Sequence, residues 1–510
     1  MAIDEEQPLL TGREVCQTVN HDVVSPQEAD ADKHTDHPTE WSRSFKWTIL
    51  SFISFMAFNV TFACLSIMPS ANDIIRSLNH DVPKKAASVL LITVWELGEA
   101  AGPLFVAPIS ETFGRYVVLN TSNALFLFAN ILTALSTNVP LLITARALTG
   151  LAVASNVLNP AIIGDMLAPE QRGAAMTIVI IVPMIASAVG PAVGGAVADA
   201  LGWRQVVWIN VALAFLCQIP LLVFFKETYR APSQRDLVTA PRNSNVDGNG
   251  NCNGNGDGDG NDINLHTGKC QLKLHNFWTS AARPASMLCS SRVLAMLCMC
   301  HSLDFVFYYA MVVTLPDILQ DVYGQSLTTT GLSFMFFTMG SAGGLIICNL
   351  SLDRLYKKLC DRNRGHGKPE FRLLFAIVGA LGVPTAVLMY GWTASLRLPL
   401  SCLRLSLVLL GMSTCFSAMS VYTYVVDAFG AYSASAMAGV IVTRCVMGAF
   451  VPLIAAPTIA ALGYGWGFTT LGLVSLSMAP VPILVMKFGP KWRQSCQYTR
   501  QMTEHSSGST

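Results

Sequence analysis

Five ionisable side chains lie inside otherwise apolar runs: Glu96, Glu99, Arg146, Asp304 and Arg444. Holding such a group at the centre of a lipid-facing helix costs about 2.5–3.5 kcal/mol, so each is expected to face a partner or a polar path. Glu96 and Glu99 are three positions apart and share one face of a helix. Two like charges so placed resist ionising together, which suits them to taking up and releasing a proton. The other reading is structural, with Glu99 balancing Arg146. Glu96, Glu99, Arg146 and Asp304 are the candidates for proton coupling. No nucleophile, base and orienting group stand together at a readable spacing, so the chain is not expected to be an enzyme.

A second pattern is Gly190-Pro191 followed by Gly194 and Gly195, with Pro183 about two turns earlier. Glycines four apart let a neighbouring helix approach closely, and proline removes a backbone donor and bends the axis. The spacing predicts a kinked, tightly packed helix, and its functional reading is a seal against proton leak. Asn59, Asn156, Asn159, Tyr308, Tyr309, Tyr422 and Tyr424 are the polar side chains placed to line a central cavity, with interhelical packing as the alternative for each. Cys298-Met299-Cys300 before His301 looks metal-like, but inside a helix it reads as small packing residues. No metal or other cofactor is expected.

The elements that must position these groups follow from composition. The chain has 510 residues, 52% hydrophobic and 13% charged, against about 25% charged in a soluble domain. Apolar runs of spanning length predict helices near 46–69, 86–109, 116–136, 139–165, 173–198, 204–226, 292–316, 328–350, 371–392, 402–426, 433–459 and 464–487. The fold class is therefore an all-α membrane protein with twelve transmembrane helices in two six-helix, pseudo-symmetric bundles, 46–226 and 292–488. Residues 1–45 are polar and acidic, 227–291 contain a stretch from Asn243 to Asp262 that is almost wholly Asn, Gly and Asp, and 489–510 form a short tail. These three are expected to be cytosolic, the first disordered and the second a low-complexity linker that cannot bury enough surface to order itself. Its Asp-Gly repeats lack the terminal Glu of an ordered calcium loop.

Lysine and arginine are retained on the cytosolic face, and they concentrate on the side of the two termini, as at Arg354, Lys357, Lys358 and Arg362. Arg76, Lys84, Lys85, Arg204, Arg397 and Arg404 are those expected outside. Two short cytosolic turns put an acid before bases: Glu111, Gly114 and Arg115 after the second helix, and Asp353 and Arg354 after the eighth. Their matched placement predicts paired gating loops in duplicated halves.

At this point the residues resemble a known family. The run from Gly102 through Pro108, Ser110, Glu111 and Gly114 to Arg115 is similar to the loop between helices 2 and 3 of the fungal twelve-helix drug:proton antiporters of the major facilitator superfamily. Arg146 to Gly150 resembles that superfamily's helix 4 motif, and the Gly190 to Gly195 pattern its antiporter motif. Gly202-Trp203-Arg204, Tyr424 to Asp427 and Gly463 to Gly467 resemble its later landmarks. The resemblance covers roughly 46–230 and 290–490. Thr112, Tyr116, Ala107 and Ala186 depart from the motifs. It implies that Arg146 belongs to a proton relay, Glu111 and Arg115 to a cytosolic gate, and Gly190, Pro191, Gly194 and Gly195 to an antiport-specific kink.

The expected function is proton-coupled efflux of a hydrophobic small molecule, a drug, toxin or fungal secondary metabolite, with the proton gradient as energy source. A proton-coupled nutrient importer of the same fold and a non-transporting membrane sensor are the alternatives; the helix 5 pattern argues against the first and the short tails against the second. The partners are the substrate and the lipid bilayer; the net charge of +1 averages over both faces and says little, but no basic, aromatic-interleaved surface suggests nucleic acid, and the protein is expected to act as a monomer. The plasma membrane is the first expectation, and Glu5-Glu6-Gln7-Pro8-Leu9-Leu10 would direct the chain to vacuole or endosome. The sequons at Asn59, Asn120 and Asn349 are expected to go unused.

Overall fold

The apolar runs become helices because lipid offers the backbone no hydrogen-bond partner, so each spanning segment must satisfy its own N–H and C=O groups. The computed structural model describes residues 38–78, 85–153, 155–167, 169–229, 282–363, 368–494, 496 and 499. The first half contains α1 (Arg43–Leu65), α2 (Ala71–Leu78), α3 (Lys85–Phe113), α4 (Arg115–Ala134), α5 (Val139–Leu151), α6 (Ser155–Met166), α7 (Pro169–Leu201) and α8 (Trp203–Phe224). The second half contains α9 (Arg292–Asp317), α10 (Leu327–Arg362), α11 (Leu374–Ser395), α12 (Leu400–Phe429), α13 (Ser433–Met478) and α14 (Pro480–Gln494).

Among the described residues ten helical stretches are long and apolar enough to cross a membrane. The last of them, Ser433–Gln494, is 62 residues long and turns at Gly463, whose φ of 76° breaks the helix and leaves two spans. The shorter α5 joins α6 to supply one more, which completes twelve. Gly202, with φ 90°, makes the corresponding turn between α7 and α8, so the halves repeat the same device on the face away from the chain ends. Left-handed φ is open to glycine without the steric penalty a Cβ brings.

Several boundaries differ from the sequence reading. The helix expected over 139–165 is two pieces, and Pro160 lies inside the second. The span expected to end at 350 continues to Arg362, so Asp353 and Arg354 sit within a helix and not in a turn; charged side chains can stay helical once the segment has left the hydrocarbon. On the other side, Glu111 is in the last turn of α3, and the turn itself is Gly114 alone. The linker and the first tail lie largely outside the described residues, but 282–290 are helical, and α14 carries the chain past 488.

Apolar packing divides unequally. One core cluster draws on both halves near the face opposite the chain ends, including Leu65, Met68, Ile92 and Trp95 with Phe307, Leu315, Phe334 and Val387. Toward the face of the chain ends the core splits. Ile49, Ile53, Leu119 and Ile162 belong to a cluster of the first half, and Leu294, Leu297, Tyr424 and Val485 to one of the second. The halves meet where α3 packs on α13 and α7 on α10.

Candidate functional site

The glycines of the α7 motif form the closed end of the molecule. A Cβ at Gly194 would run into the main chain of Ser66 at the end of α1, and one at Gly195 into the carbonyl of Leu327 at the start of α10. Gly331 of α10 lies in turn against the carbonyl of Pro191. Three helices from the two halves thus touch backbone to backbone. Polar bonds reinforce this end: Asn72 donates to Asp317, Thr328 to Asp199 at 2.8 Å, and Gln320 to the carbonyl of Pro69 at 3.4 Å.

Beneath the seal is a cavity of ≈ 370 Å³ lined by both halves. The shared core and the α7–α10 contact close it on one side, and toward the face of the chain ends the two separate clusters stand apart. Gly98 and Gly102 explain which side chains face it. They let α5 approach α3 so closely that a Cβ on Gly98 would meet the main chain of Ala147 and Leu151, and this rotates Glu96 and Glu99 toward α9 and α13.

There Glu99 pairs with Arg444 of α13 at 3.2 Å, its side chain 13% and that of the arginine 17% exposed. The other Glu99 oxygen accepts from Trp95 Nε1 at 3.2 Å. Arg444 lies 4.1 Å over the Phe305 ring, a cation–π contact. Glu96, 2% exposed, accepts the Tyr309 hydroxyl. His301 and the Tyr422 hydroxyl are 3.2 Å apart on the second-half wall.

Of the expected coupling residues, Glu96 and Glu99 reach the cavity wall and the other two do not line it. Arg146 donates to the carbonyls of Ala63 and Cys64, each at 3.1 Å, and stacks 4.7 Å over Trp95. It therefore serves the last turn of α1, whose carbonyls lack helical partners and carry the negative end of the dipole. The pairing of Glu99 with Arg146 is replaced by the pairing with Arg444. Asp304 is buried between α9 and α12, where it accepts from Ser417 at 2.5 Å.

Tyr308, Tyr309 and Tyr422 line the cavity. Tyr424 is fully buried in the second-half cluster. Asn59 is buried in α1, away from the cavity lining, and Asn159 donates to the carbonyl of Ile53 at 3.2 Å, tying α6 to α1. The side chains of Asn156, Glu111 and Asp353 lie outside the description. Arg354 is exposed. Arg115 is buried at the Gly114 turn, where its guanidinium meets Ser110 and Asp165 and its backbone N–H donates to Glu227 at 2.8 Å. Glu227 also takes the N–H of Tyr116 at 3.0 Å, capping α4. Asp165 and Glu227 carry no motif and were not singled out in the sequence.

The family model described as Major Facilitator Superfamily matches residues 47–452. This chain belongs to that superfamily. Among its relatives, it is 29% identical over 507 residues to the efflux pump radE of Floropilus chiversii, covering 96% of this chain and 91% of the pump. It is 30% identical over 480 residues to the MFS transporter cpaT of Aspergillus oryzae, covering 93% of each. The fold matches a D-xylose-proton symporter with a TM-score of 0.62 at 16% identity, over 87% of this chain and 97% of the symporter. A POT family transporter in complex with 5-aminolevulinic acid matches with the same TM-score, 0.62, at 11% identity, over 89% of this chain and 97% of that one. As a member of the superfamily the chain is a multi-pass membrane transporter and not an enzyme, its central cavity flanked by two halves that can rock about it.

Proposed function

We propose that this protein exports hydrophobic small molecules from the cytosol, driven by protons moving the other way through Glu99 and Glu96. The observation that carries the reading is the Glu99–Arg444 pair, which places a carboxylate and its counter-ion on opposite halves at the cavity wall. A proton arriving at Glu99 competes directly with Arg444, so proton binding loosens the contact between α3 and α13. Because that contact joins the two halves, the proton biases which side is open. The relative named as an efflux pump supports export as the direction. The basic residues on the face of the chain ends support a cytosolic placement of that face, and the gap between the two separate clusters there supports a cavity that takes its substrate from the cytosol. The driving force is adequate: about 2.3 kcal/mol per proton for each 100 mV, and about 1.36 kcal/mol per pH unit.

Efflux of Nile red from proteoliposomes, with and without an imposed pH gradient, tests this. Export that stops with a protonophore and no longer responds to the gradient in Glu99→Gln is expected. Gradient-driven movement in the opposite direction would assign the protein to import and leave the α7 glycines as packing alone.

A further inference from the structure

The chemistry of the cavity wall points to the kind of molecule it takes. Its hydroxyl groups are largely spent on the protein itself: Thr414 donates to the carbonyl of Leu410 at 2.8 Å, Ser341 to that of Phe337 at 3.1 Å, and Ser187 faces Thr338 at 3.3 Å. Arg444 is turned to Glu99. The strongest acceptors facing the cavity are the two carboxylates, and both are served by donors carried on aromatic rings. Glu99 holds the Trp95 indole N–H, and Glu96 holds the Tyr309 phenol. Tyr309 belongs to α9 and Glu96 to α3, so this phenol–carboxylate bond crosses between the halves. The neighbouring wall is built of rings in contact, with Tyr308 and Phe337 centroids 4.9 Å apart and Phe305 and Tyr308 5.7 Å apart. Tyr309 is thus a ligand-like group, a flat ring with a hydroxyl donating to a buried carboxylate, supplied by the protein.

We propose that the cavity selects planar aromatic hydroxyl compounds, which bind by replacing the Tyr309 hydroxyl on Glu96. The inference rests on the transport reading above and gives it a substrate class. One O–H donor exchanges for another, and no proton is transferred in the exchange. Substrate and proton exclude each other because a protonated Glu96 is no longer an anionic acceptor. Displacing Tyr309 also removes one of the bonds between α3 and α9, a second contact between the halves beside the α3–α13 pair that a proton loosens.

The test uses the full chain in nanodiscs, with equilibrium dialysis of 1-naphthol against 1-methoxynaphthalene, which has the same ring and no donor. In Tyr309→Phe, where no phenol of the protein competes for Glu96, a hydrogen bond to a charged acceptor gives 1-naphthol an expected advantage of about tenfold, and in the parent, where it must displace Tyr309, the advantage is smaller. The advantage should grow in Tyr309→Phe, which frees the carboxylate, and collapse in Glu96→Gln, while binding of the methyl ether stays level across all three proteins and certifies their folding. Equal binding of the two probes to Tyr309→Phe, or an advantage unchanged by both substitutions, would overturn the proposal. Nile red carries no hydroxyl group, so its gradient-driven export separates the two readings: if it continues while the naphthol preference is absent, transport stands and the substrate class falls.

Discussion

Gly190 and Gly194 stand one helical turn apart in the same motif, yet the structure predicts opposite consequences for placing alanine at each. At Gly194 a new Cβ would lie 2.6 Å from the carbonyl carbon of Ser66 and 2.9 Å from its Cα, with the oxygen closer still. These are backbone atoms, so no side chain can swing aside, and α7 must retreat from α1 by on the order of 1 Å. Overpacking of this kind costs about 1–3 kcal/mol. Spent on the closed end, the same energy shifts the balance between sealed and unsealed states roughly 5–150-fold. At Gly190 the nearest atom is the Phe62 oxygen at 3.4 Å, an ordinary contact, and alanine brings a helix propensity better by about 1 kcal/mol. The assay is passive proton entry into proteoliposomes holding a trapped pH dye, run beside thermal unfolding. Gly194→Ala should leak faster and melt lower, and Gly190→Ala should match the parent or melt higher. Equal behaviour of the two alanines, in either direction, would refute the account of this motif as a close backbone contact.

Three further outcomes follow from buried polar groups. Arg444→Met leaves Glu99 buried with its counter-ion gone and should cost about 3–5 kcal/mol; the exchange Glu99→Arg with Arg444→Glu should recover part of that loss in the melting temperature, as a double-mutant cycle. Arg146→Lys keeps the charge but not the fork that spans the carbonyls of Ala63 and Cys64, and should destabilise by about 1–3 kcal/mol, visible as a lower melting temperature with the proton dependence of export retained. Glu227→Ala removes the cap on α4 and should cost about 1 kcal/mol, whereas Gly114→Ala should cost more, because its φ of 89° disfavours a Cβ that would also strike the Glu227 carboxylate; denaturation midpoints of the two variants decide the order.

Helix number and the two-half layout were legible because the apolar runs alone carry them. Glu96, Glu99 and Arg444 could be recognised as costly wherever they sat in those runs. What could not be read was who pairs with whom. The partner of Glu99 lies 345 positions along the chain, and its choice depends on Gly98 and Gly102 drawing in α5 and so turning the carboxylates toward α13. Arg146 was equally conspicuous, but its partners are main-chain carbonyls, which leave no mark in side-chain spacing. Tyr422 and Tyr424, two residues apart on one helix, divide between the cavity wall and the buried core, a difference set by the rotation of α12. Glu227 was hidden for another reason: it follows the last apolar run of the first half, where the composition reads as linker.

The unequal division of the core gives the transporter a thermal character. Opening the sealed face would bring Ile92, Trp95, Phe307 and Leu315 of the shared cluster into contact with water, while closing the other face would bring the two separate clusters together. Hydration of apolar surface raises heat capacity, so any imbalance between the area uncovered and the area covered makes the enthalpy of the rocking step change with temperature. The preference for one orientation is then a curved function of temperature, with an optimum set by the composition of the seam and not by the chemistry of the cavity.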